Sequence, residues 1–217
     1  MPAVAETTFA SITRAARRQF KSARGSHDWD HTERVCRLAL RLGKKEKANL
    51  DVVRLAAILH DIGRAEEDRS NGRICHSEAG AALARKILAR HGLDIETIRR
   101  VGDCIRTHRF RKSTVPATTE AKVLFDADKL DSIGAVGIGR AFLFAGEVGA
   151  RLHNKDRDLS ATKPYTKEDT AYREYMVKLR WVKARMFTAE GRRIAAGRHA
   201  YMVGFFARLN KETEGAL

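Results

Sequence analysis

The segment from Leu50 to Ile62 constrains the fold more than any other part of the chain. It is apolar on nearly every side of the helix that its composition favours, and such a helix must lie at the centre of a packed core. It nevertheless ends in the polar pair His60-Asp61. Burying a histidine and a carboxylate costs several kcal/mol unless each has a strong partner, and a metal ion would supply one. The segment therefore predicts a central buried helix with a polar site at its end.

Composition favours helices along the whole chain of 217 residues. Alanine, leucine and arginine are plentiful, and proline occurs only at Pro2, Pro116 and Pro164, so long helices can run without interruption. We expect an all-α fold, a single-domain helical bundle over residues 1–217. Its metal-site core is expected at about 27–135, with C-terminal helices at about 166–212 packed on it.

Apolar residues recur at helical intervals and predict the individual helices. The predicted spans are Glu6 to Lys21, Trp29 to Gly43, Leu50 to Ile62, His76 to Arg90, Asp94 to His108, Glu120 to Ile133, Gly134 to Gly149, Thr166 to Thr188 and Ala189 to Glu212. A capping box at Thr166 to Asp169 is expected to open the eighth of these. The polar stretch from Arg64 to Arg73 is expected to be an exposed loop that borders a cleft.

Cysteine usage and the amino-terminal sequence predict a cytoplasmic protein. Cys36, Cys75 and Cys104 are isolated thiols without CxxC spacing, so they suggest neither a disulfide framework nor a cysteine zinc site. The first residues lack a signal-peptide pattern, and no run approaches the ~18 apolar residues of a membrane span.

The formal net charge of +15 predicts attraction to an anionic partner. Basic residues are spread over several stretches with acidic residues interspersed, and no single stripe or nucleic-acid motif stands out. The sequence therefore favours steering of a small phosphorylated substrate over a dedicated nucleic-acid surface. Phe205 and Phe206 would suit either a homodimer interface or internal helix packing.

A set of polar residues on predicted apolar helix faces suggests a metal site. His31 lies in line with Val35 and Leu38 of the second helix, and Asp128 lies on the same side of a later helix as Leu124. Asp126 is an alternative to Asp128. Two imidazoles and two carboxylates would suit Mn²⁺, Fe²⁺, Zn²⁺, Ni²⁺ or Mg²⁺ and would leave positions open for water and a substrate oxygen.

Several longer motifs resemble the HD superfamily of metal-dependent phosphohydrolases, and in particular its bacterial branch that contains nucleotide pyrophosphohydrolases. The motifs are HDWDHTERV from His27, LAAILHDIGR from Leu55, HSEAGA from His76, DADKLDSIGAVGIGRAF from Asp126 and MFTAEGRRIAAGRHAYMVGFFARL from Met186. The resemblance covers most of the chain from His27 to Leu209.

The resemblance implies one divalent metal ion and assigns its ligands, preferring Asp128 to Asp126. The implied ligands are His31, His60, Asp61 and Asp128. The implied substrate is a nucleotide, with pyrophosphate released from nucleoside or deoxynucleoside triphosphates. A phosphomonoesterase or phosphodiesterase acting on another small phosphorylated substrate, and a regulatory nucleotide-binding module, remain as alternatives. Cleavage of cyclic dinucleotides is disfavoured because the chain lacks the GYP tripeptide that is typical of the cyclic-dinucleotide phosphodiesterases of the superfamily.

Further residues are candidates for catalysis or for substrate binding. Asp61 is expected to orient or deprotonate the attacking water as well as to bind metal. Arg64 follows the HD pair and can bind phosphate through its guanidinium. Glu66, with Glu67 beside it, is the candidate catalytic acid, although its spacing from Asp61 departs from that of relatives. The candidate substrate-binding residues are His27, Arg34, Arg64, His76, His108, Lys129 and Asp131. For His76 and His108, ligation of a second metal and structural roles also stay open.

Overall fold

A computed structural model describes residues 3–20, 28–70, 73–109 and 115–217. The helices are α1 (Glu6–Arg17), α2 (Trp29–Lys45), α3 (Leu50–Leu59), α4 (Arg64–Arg69), α5 (His76–Arg90), α6 (Ile95–Thr107), α7 (Thr119–Leu130), α8 (Gly134–Glu147), α9 (Ala171–Val177) and α10 (Ala189–Thr213). Short 3₁₀ helices follow at Arg18–Phe20 and Leu179–Arg185. No strand occurs within the described ranges, so the predicted all-α class is confirmed.

The chain divides into two compact units, Met1–Asp128 and Lys129–Leu217. In the first unit, α3 packs against α1, α2 and α6, and α5 packs against α6. Asn49 begins α3 because its side-chain oxygen accepts hydrogen bonds from the backbone amides of Asp51 and Val52. Leu55 and Leu59 are fully buried. The prediction of a central buried helix is confirmed, and the helix ends at Leu59, so that His60 and Asp61 lie in the turn after it.

The prediction of an exposed loop from Arg64 to Arg73 is wrong for its first half, which forms α4. The segment is polar on all sides, so it carries no apolar periodicity to announce a helix. Two physical factors favour the helix nevertheless. The residues are mostly good helix formers, and Glu66 and Glu67 place negative charge in the first turn, where the helix dipole stabilises it.

Gly63 allows the turn after α3 to lie directly against α5. A Cβ atom added at Gly63 would stand 2.3 Å from the backbone oxygen of His76 and 2.5 Å from the backbone nitrogen of Gly80. Neither of these backbone atoms can move without displacing α5. Because Gly63 has no side chain, the turn that contains His60 and Asp61 can lie this close to the backbone of His76.

We expect Gly63→Ala to lower the free energy of unfolding by about 1–3 kcal/mol because it overpacks a backbone contact. Gly139→Ala is the matched control, since nothing lies within 4 Å of a Cβ at that helical position. The control should be neutral or stabilise by about 0.5–1 kcal/mol through helix propensity. Chemical denaturation of both variants measures the difference, and equal stabilities would contradict the close contact.

In the second unit, α8 packs against α9 and α10, and α10 also packs against the 3₁₀ segment. The predicted long helix from Thr166 to Thr188 is wrong. Asp169 forms a turn instead, because its amide donates to the oxygen of Thr166 and its carboxylate accepts from the amide of Tyr165. Helix α9 starts one residue after Thr170, whose hydroxyl accepts from the amide of Arg173.

Among the described helices, none is long and apolar enough to cross a bilayer. The extent of the single domain and the two sub-ranges expected within it stay predictions.

Candidate active site

Four buried side chains meet where α2, the turn after α3 and α7 come together. Nε2 of His31 lies 3.5 Å from Oδ1 of Asp128 and 3.7 Å from Oδ2 of Asp61. Nε2 of His60 lies 3.4 Å from Nε2 of His31 and 3.6 Å from Oδ2 of Asp61. All four residues are at most 8% exposed. The predicted ligand set is thus brought together in one place, which we call the first cluster.

The hydrogen bonding of His60 points an electron pair into the first cluster. Its Nδ1 lies 2.8 Å from the backbone oxygen of Ala57, an acceptor, so Nδ1 carries the proton and Nε2 is left as an acceptor. Burial lowers the pKa of His60 to about 4, and the nearby Asp61 carboxylate only partly opposes this effect. His60 is therefore neutral at pH 7, the state in which imidazole binds metal.

The spacing of the first cluster fits a metal ion. Two ligands about 2.1 Å from one ion at a tetrahedral angle stand about 3.4 Å apart. The four measured separations between donor atoms run from 3.4 to 3.7 Å. These separations are longer than those of good hydrogen bonds, and they match the spacing of ligand atoms around one ion. A divalent cation would fit among all four groups.

Asp61 also faces a second cluster, formed with His76 and His108. Its Oδ1 lies 3.5 Å from Nε2 of His76 and 3.6 Å from Nε2 of His108, and the two Nε2 atoms are 3.2 Å apart. Nδ1 of His108 lies 2.6 Å from the backbone oxygen of Ile105, so it must donate. Together with Asp61, these two histidines are a second set of buried donors able to hold a cation.

Glu67 fixes the orientation of His76. Its Oε2 lies 2.6 Å from Nδ1 of His76, and its other oxygen accepts a hydrogen bond from Arg109. Although burial favours the neutral acid, these hydrogen bonds hold the pKa of Glu67 below its usual value. Glu67 is therefore an anion that accepts a hydrogen bond from Nδ1–H of His76, which leaves Nε2 of His76 directed at Asp61 and His108.

Arg64 completes the polar surroundings of Asp61. Its Nε donates to Oδ2 of Asp61 at 3.0 Å, and its Nη1 lies 3.8 Å from Oε2 of Glu67. The side chain is 24% exposed, whereas that of Asp61 is fully buried. Arg64 thus connects the buried centre with solvent and presents a positive charge beside it.

Comparison with known proteins identifies the family. Residues 28–133 match the HD domain model. The chain is 36% identical over 193 residues to the YpgQ protein of Bacillus subtilis (strain 168). The aligned region covers 87% of this chain and 85% of YpgQ. The chain belongs to the HD domain family. It is an HD-superfamily hydrolase with a divalent-metal centre.

Solved structures of HD proteins have the same fold as this chain. The structure of Bacillus subtilis YpgQ in complex with ADP is similar with a TM-score of 0.74 and 30% identity, over 95% of each chain. A Lactobacillus plantarum protein has a TM-score of 0.77 and 28% identity, over 98% of this chain and 100% of its own. A predicted HD superfamily hydrolase from an uncultured Thermotogales bacterium has a TM-score of 0.67 and 29% identity, over 94% of this chain and 91% of its own.

The two adjacent glutamates of α4 lie in different surroundings. The carboxylate of Glu66, the candidate catalytic acid, lies 2.7 Å from Arg69 on the exposed side of α4, and its catalytic role stays a prediction. Glu67 lies one position further around the helix and is directed at His76. Sequence reasoning missed Arg109, although its place directly after His108 was a usable signal.

The remaining predicted site residues lie in varied surroundings. His27 is outside the described residues. Arg34 is half-buried on α2, and Lys129 is half-buried at the end of α7. Asp131 is buried, and its carboxylate accepts a hydrogen bond of 2.9 Å from Arg140. This ion pair gives Asp131 a structural role, and the substrate-binding roles of these residues remain predictions.

The lowered pKa of His60 predicts how the metal-free HD protein responds to acid. The unfolded chain, with a histidine pKa of 6.5, binds this proton more readily than the folded chain, with a pKa of about 4. The free energy of unfolding should therefore be unaffected above pH 6.5 and should fall by a few kcal/mol as the pH drops towards 4.

Chemical denaturation in the presence of a chelator, across this pH range, measures the effect. His60→Gln should show a shallower decline than the parent protein. Equal pH dependence in the two proteins would contradict the assignment of His60 as a buried neutral imidazole.

Proposed function

We propose that this HD protein is a metal-dependent phosphohydrolase that acts on nucleotides and releases pyrophosphate from nucleoside or deoxynucleoside triphosphates. The observation that carries the proposal is the position of Asp61, whose two carboxylate oxygens face two buried pairs of histidines. A buried carboxylate between two pairs of imidazole nitrogens is arranged to hold a cation, and cations stabilise the charge that develops in phosphoryl transfer.

His31, His60, Asp61 and Asp128 would hold the divalent ion of the reaction. When bound, the ion supplies Lewis acidity towards a phosphoryl oxygen and lowers the pKa of water. Asp61 has a further role in this proposal, because its Oδ1 is directed away from the first cluster and is able to accept a proton or orient water. Buried apolar side chains of α3 surround this polar centre and keep the local dielectric constant low.

Glu67 is a positioning residue in this scheme. By accepting a hydrogen bond from Nδ1–H of His76, it keeps the proton on Nδ1 and leaves Nε2 of His76 unprotonated and directed at Asp61. His76 and His108 then offer acceptor nitrogens 3.2 Å apart, which favours a cation between them. Metal content distinguishes the roles of the second cluster, since two equivalents per chain would assign it a second ion and one equivalent would assign it to water or substrate.

Two features support a phosphorylated nucleotide as the substrate. Bacillus subtilis YpgQ, a relative of similar length and fold, has been solved in complex with ADP. In this chain, the guanidinium groups of Arg64 and Arg109 lie beside the second cluster and are partly exposed, at 24% and 16%. The guanidinium group of an arginine is able to bind two phosphate oxygens at once, so either side chain is suited to contact the phosphates of a nucleotide.

A nucleotide panel tests the proposal. Purified protein loaded with Mn²⁺ is incubated with nucleoside and deoxynucleoside mono-, di- and triphosphates, and pyrophosphate and orthophosphate are measured separately. We expect pyrophosphate and a nucleoside monophosphate from triphosphates. Orthophosphate alone would support the alternative, a phosphomonoesterase. Binding without turnover of any substrate, phosphodiesters included, would contradict the proposed activity and favour a regulatory module.

A further inference from the structure

A basic cleft with aromatic walls lies at the junction of α1 and α2. We call it the aromatic cleft; it has a volume of about 500 Å³ and is lined by Arg14, Arg17, Arg18, Phe20 and Trp29. The rings of Phe20 and Trp29 meet edge to face with centroids 5.6 Å apart, and the guanidinium of Arg17 lies 5.6 Å from the Trp29 centroid. The cleft therefore combines an indole ring with three cations.

The three arginines of the aromatic cleft have no acidic neighbour on α1, whereas on α2 Asp28 and Asp30 flank Trp29 in the sequence and Glu33 accepts a hydrogen bond from its Nε1. The sequence from Thr7 to His27 contains no aspartate or glutamate. Within the part of the chain that the structure describes, no carboxylate pairs with Arg14, Arg17 or Arg18. All three arginines are exposed. Their charge is thus available to an anion in solution.

A second basic cleft lies further along the same helix. We call it the lysine cleft; it has a volume of about 430 Å³ and is formed by Arg37, Arg41, Lys44 and Lys45 around Leu40. The sequence from Arg34 to Lys45 again contains no acidic residue. At 1.5 Å per residue, about 18 Å of helix separates Trp29 from Arg41.

Helical spacing places Trp29, a wall of the aromatic cleft, on the same side of α2 as the lysine cleft. Trp29, Arg37 and Lys44 stand eight and seven positions apart, which places them on one side of a helix. Glu33 lies between the clefts on this face. Its carboxylate accepts a hydrogen bond from Nε1 of Trp29 at 2.6 Å and lies 3.8 Å from Arg37, so its charge is partly balanced.

The distribution of charge favours an extended anion as the ligand. Cations at helix C-termini offset a dipole of only about half a unit charge, which does not account for the cations that remain in the two clefts when Arg37, paired with Glu33, and Arg41 are set aside. A mononucleotide would fill one cleft but would not extend over about 18 Å of helix. A strand of nucleic acid extends over both. Its bases are also exposed for stacking on an indole or a guanidinium group, unlike those of a duplex.

We propose that the aromatic and lysine clefts together bind single-stranded nucleic acid, with phosphates on the cations and a base against Trp29. The basic residues of the two clefts are separated along the chain by buried positions of α1 and α2, so no single basic stripe marks this surface in the sequence. The proposal does not depend on the HD centre or on the hydrolytic activity proposed for it.

Fluorescence anisotropy with labelled single-stranded RNA and DNA of mixed sequence tests the proposal. The variants are Arg14→Ala/Arg17→Ala/Arg18→Ala and Lys44→Ala/Lys45→Ala. The matched control is Arg85→Ala/Lys86→Ala/Arg90→Ala on α5, which removes three exposed charges outside both clefts. Each lost phosphate contact should reduce the slope of log affinity against log salt by about 0.7, so the triple cleft variant should lose about 2.

A second readout uses the fluorescence of Trp29. Trp29 and Trp181 are the two tryptophans of the chain, so a Trp181→Phe background isolates Trp29, and oligonucleotide binding should quench its emission. Trp29→Ala should weaken binding about 5- to 150-fold, the range found for base stacking on aromatic side chains. If that variant is unstable, the exposed arginine variants still decide the question. Nucleotide hydrolysis should be unchanged in all cleft variants.

Four outcomes would overturn the proposal. They are the absence of oligonucleotide binding, equal weakening by the α5 control, tighter binding of duplex than of single strand, and binding of anionic lipid vesicles in place of oligonucleotides. Weakening confined to the cleft variants, with quenching of Trp29, would support it.

Discussion

Replacing Asp61 with alanine is expected to abolish metal binding at the first cluster and to reduce nucleotide hydrolysis by more than about 100-fold. Changes to residues that merely support metal ligands cost about 10- to 100-fold, so loss of a ligand should cost more. Asp61 also contacts both clusters, since its two oxygens face His31 and His60 on one side and His76 and His108 on the other. No other described carboxylate has this position.

Asp68→Ala is the matched control for the Asp61 variant. It removes an exposed aspartate seven positions further along the chain, on α4, and should leave activity and metal content within about two-fold of the parent, as is usual for surface substitutions. Metal content is measured by mass spectrometry after gel filtration, and turnover by pyrophosphate release. Full activity of Asp61→Ala with normal metal content would refute the ligand assignment.

Glu67→Gln is expected to lower kcat much more than Glu66→Gln. Glutamine at position 67 removes the charge that holds both His76 and Arg109, and kcat should fall about 10- to 100-fold, the range found when the partner of a metal-site histidine is changed. Glutamine at position 66 removes only a surface ion pair with Arg69, so its effect should be within about two-fold.

Metal titration and thermal unfolding complete the test of Glu67. A merely structural role would lower the melting temperature and leave metal binding and kcat unchanged. The proposed role predicts the opposite pattern, in which Glu67→Gln folds normally but loses kcat and binds metal more weakly. A larger effect from Glu66→Gln than from Glu67→Gln would favour Glu66 as the functional acid.

The sequence predicted the central features of the site because the same residues dictate both burial and chemistry. The apolar helix ending in His60-Asp61 had to be buried, and a buried carboxylate needs partners. The apolar stripe of α2 then placed His31 towards the core. Asp128 required the family resemblance, since helix spacing alone did not separate it from Asp126.

The sequence did not predict how the surroundings of the centre are arranged. Helix α4 has no apolar face, so its sequence shows no helical periodicity. Which of Glu66 and Glu67 is directed at His76 depends on where that helix begins. The pairing of Glu67 with Arg109 joins residues that are far apart in the chain, so the local sequence around either one does not identify the other as its partner. The turn before α9 depends likewise on hydrogen bonds of Asp169 that compete with the expected capping box.

Anomalous X-ray diffraction from crystals soaked in Mn²⁺ tests whether the first cluster binds a metal ion. We expect a strong anomalous peak bounded by Nε2 of His31, Nε2 of His60, Oδ2 of Asp61 and Oδ1 of Asp128. A further peak beside His76 and His108 would assign a second ion to the second cluster. The absence of any peak among the first four atoms, in protein that hydrolyses nucleotides under the same conditions, would contradict the account.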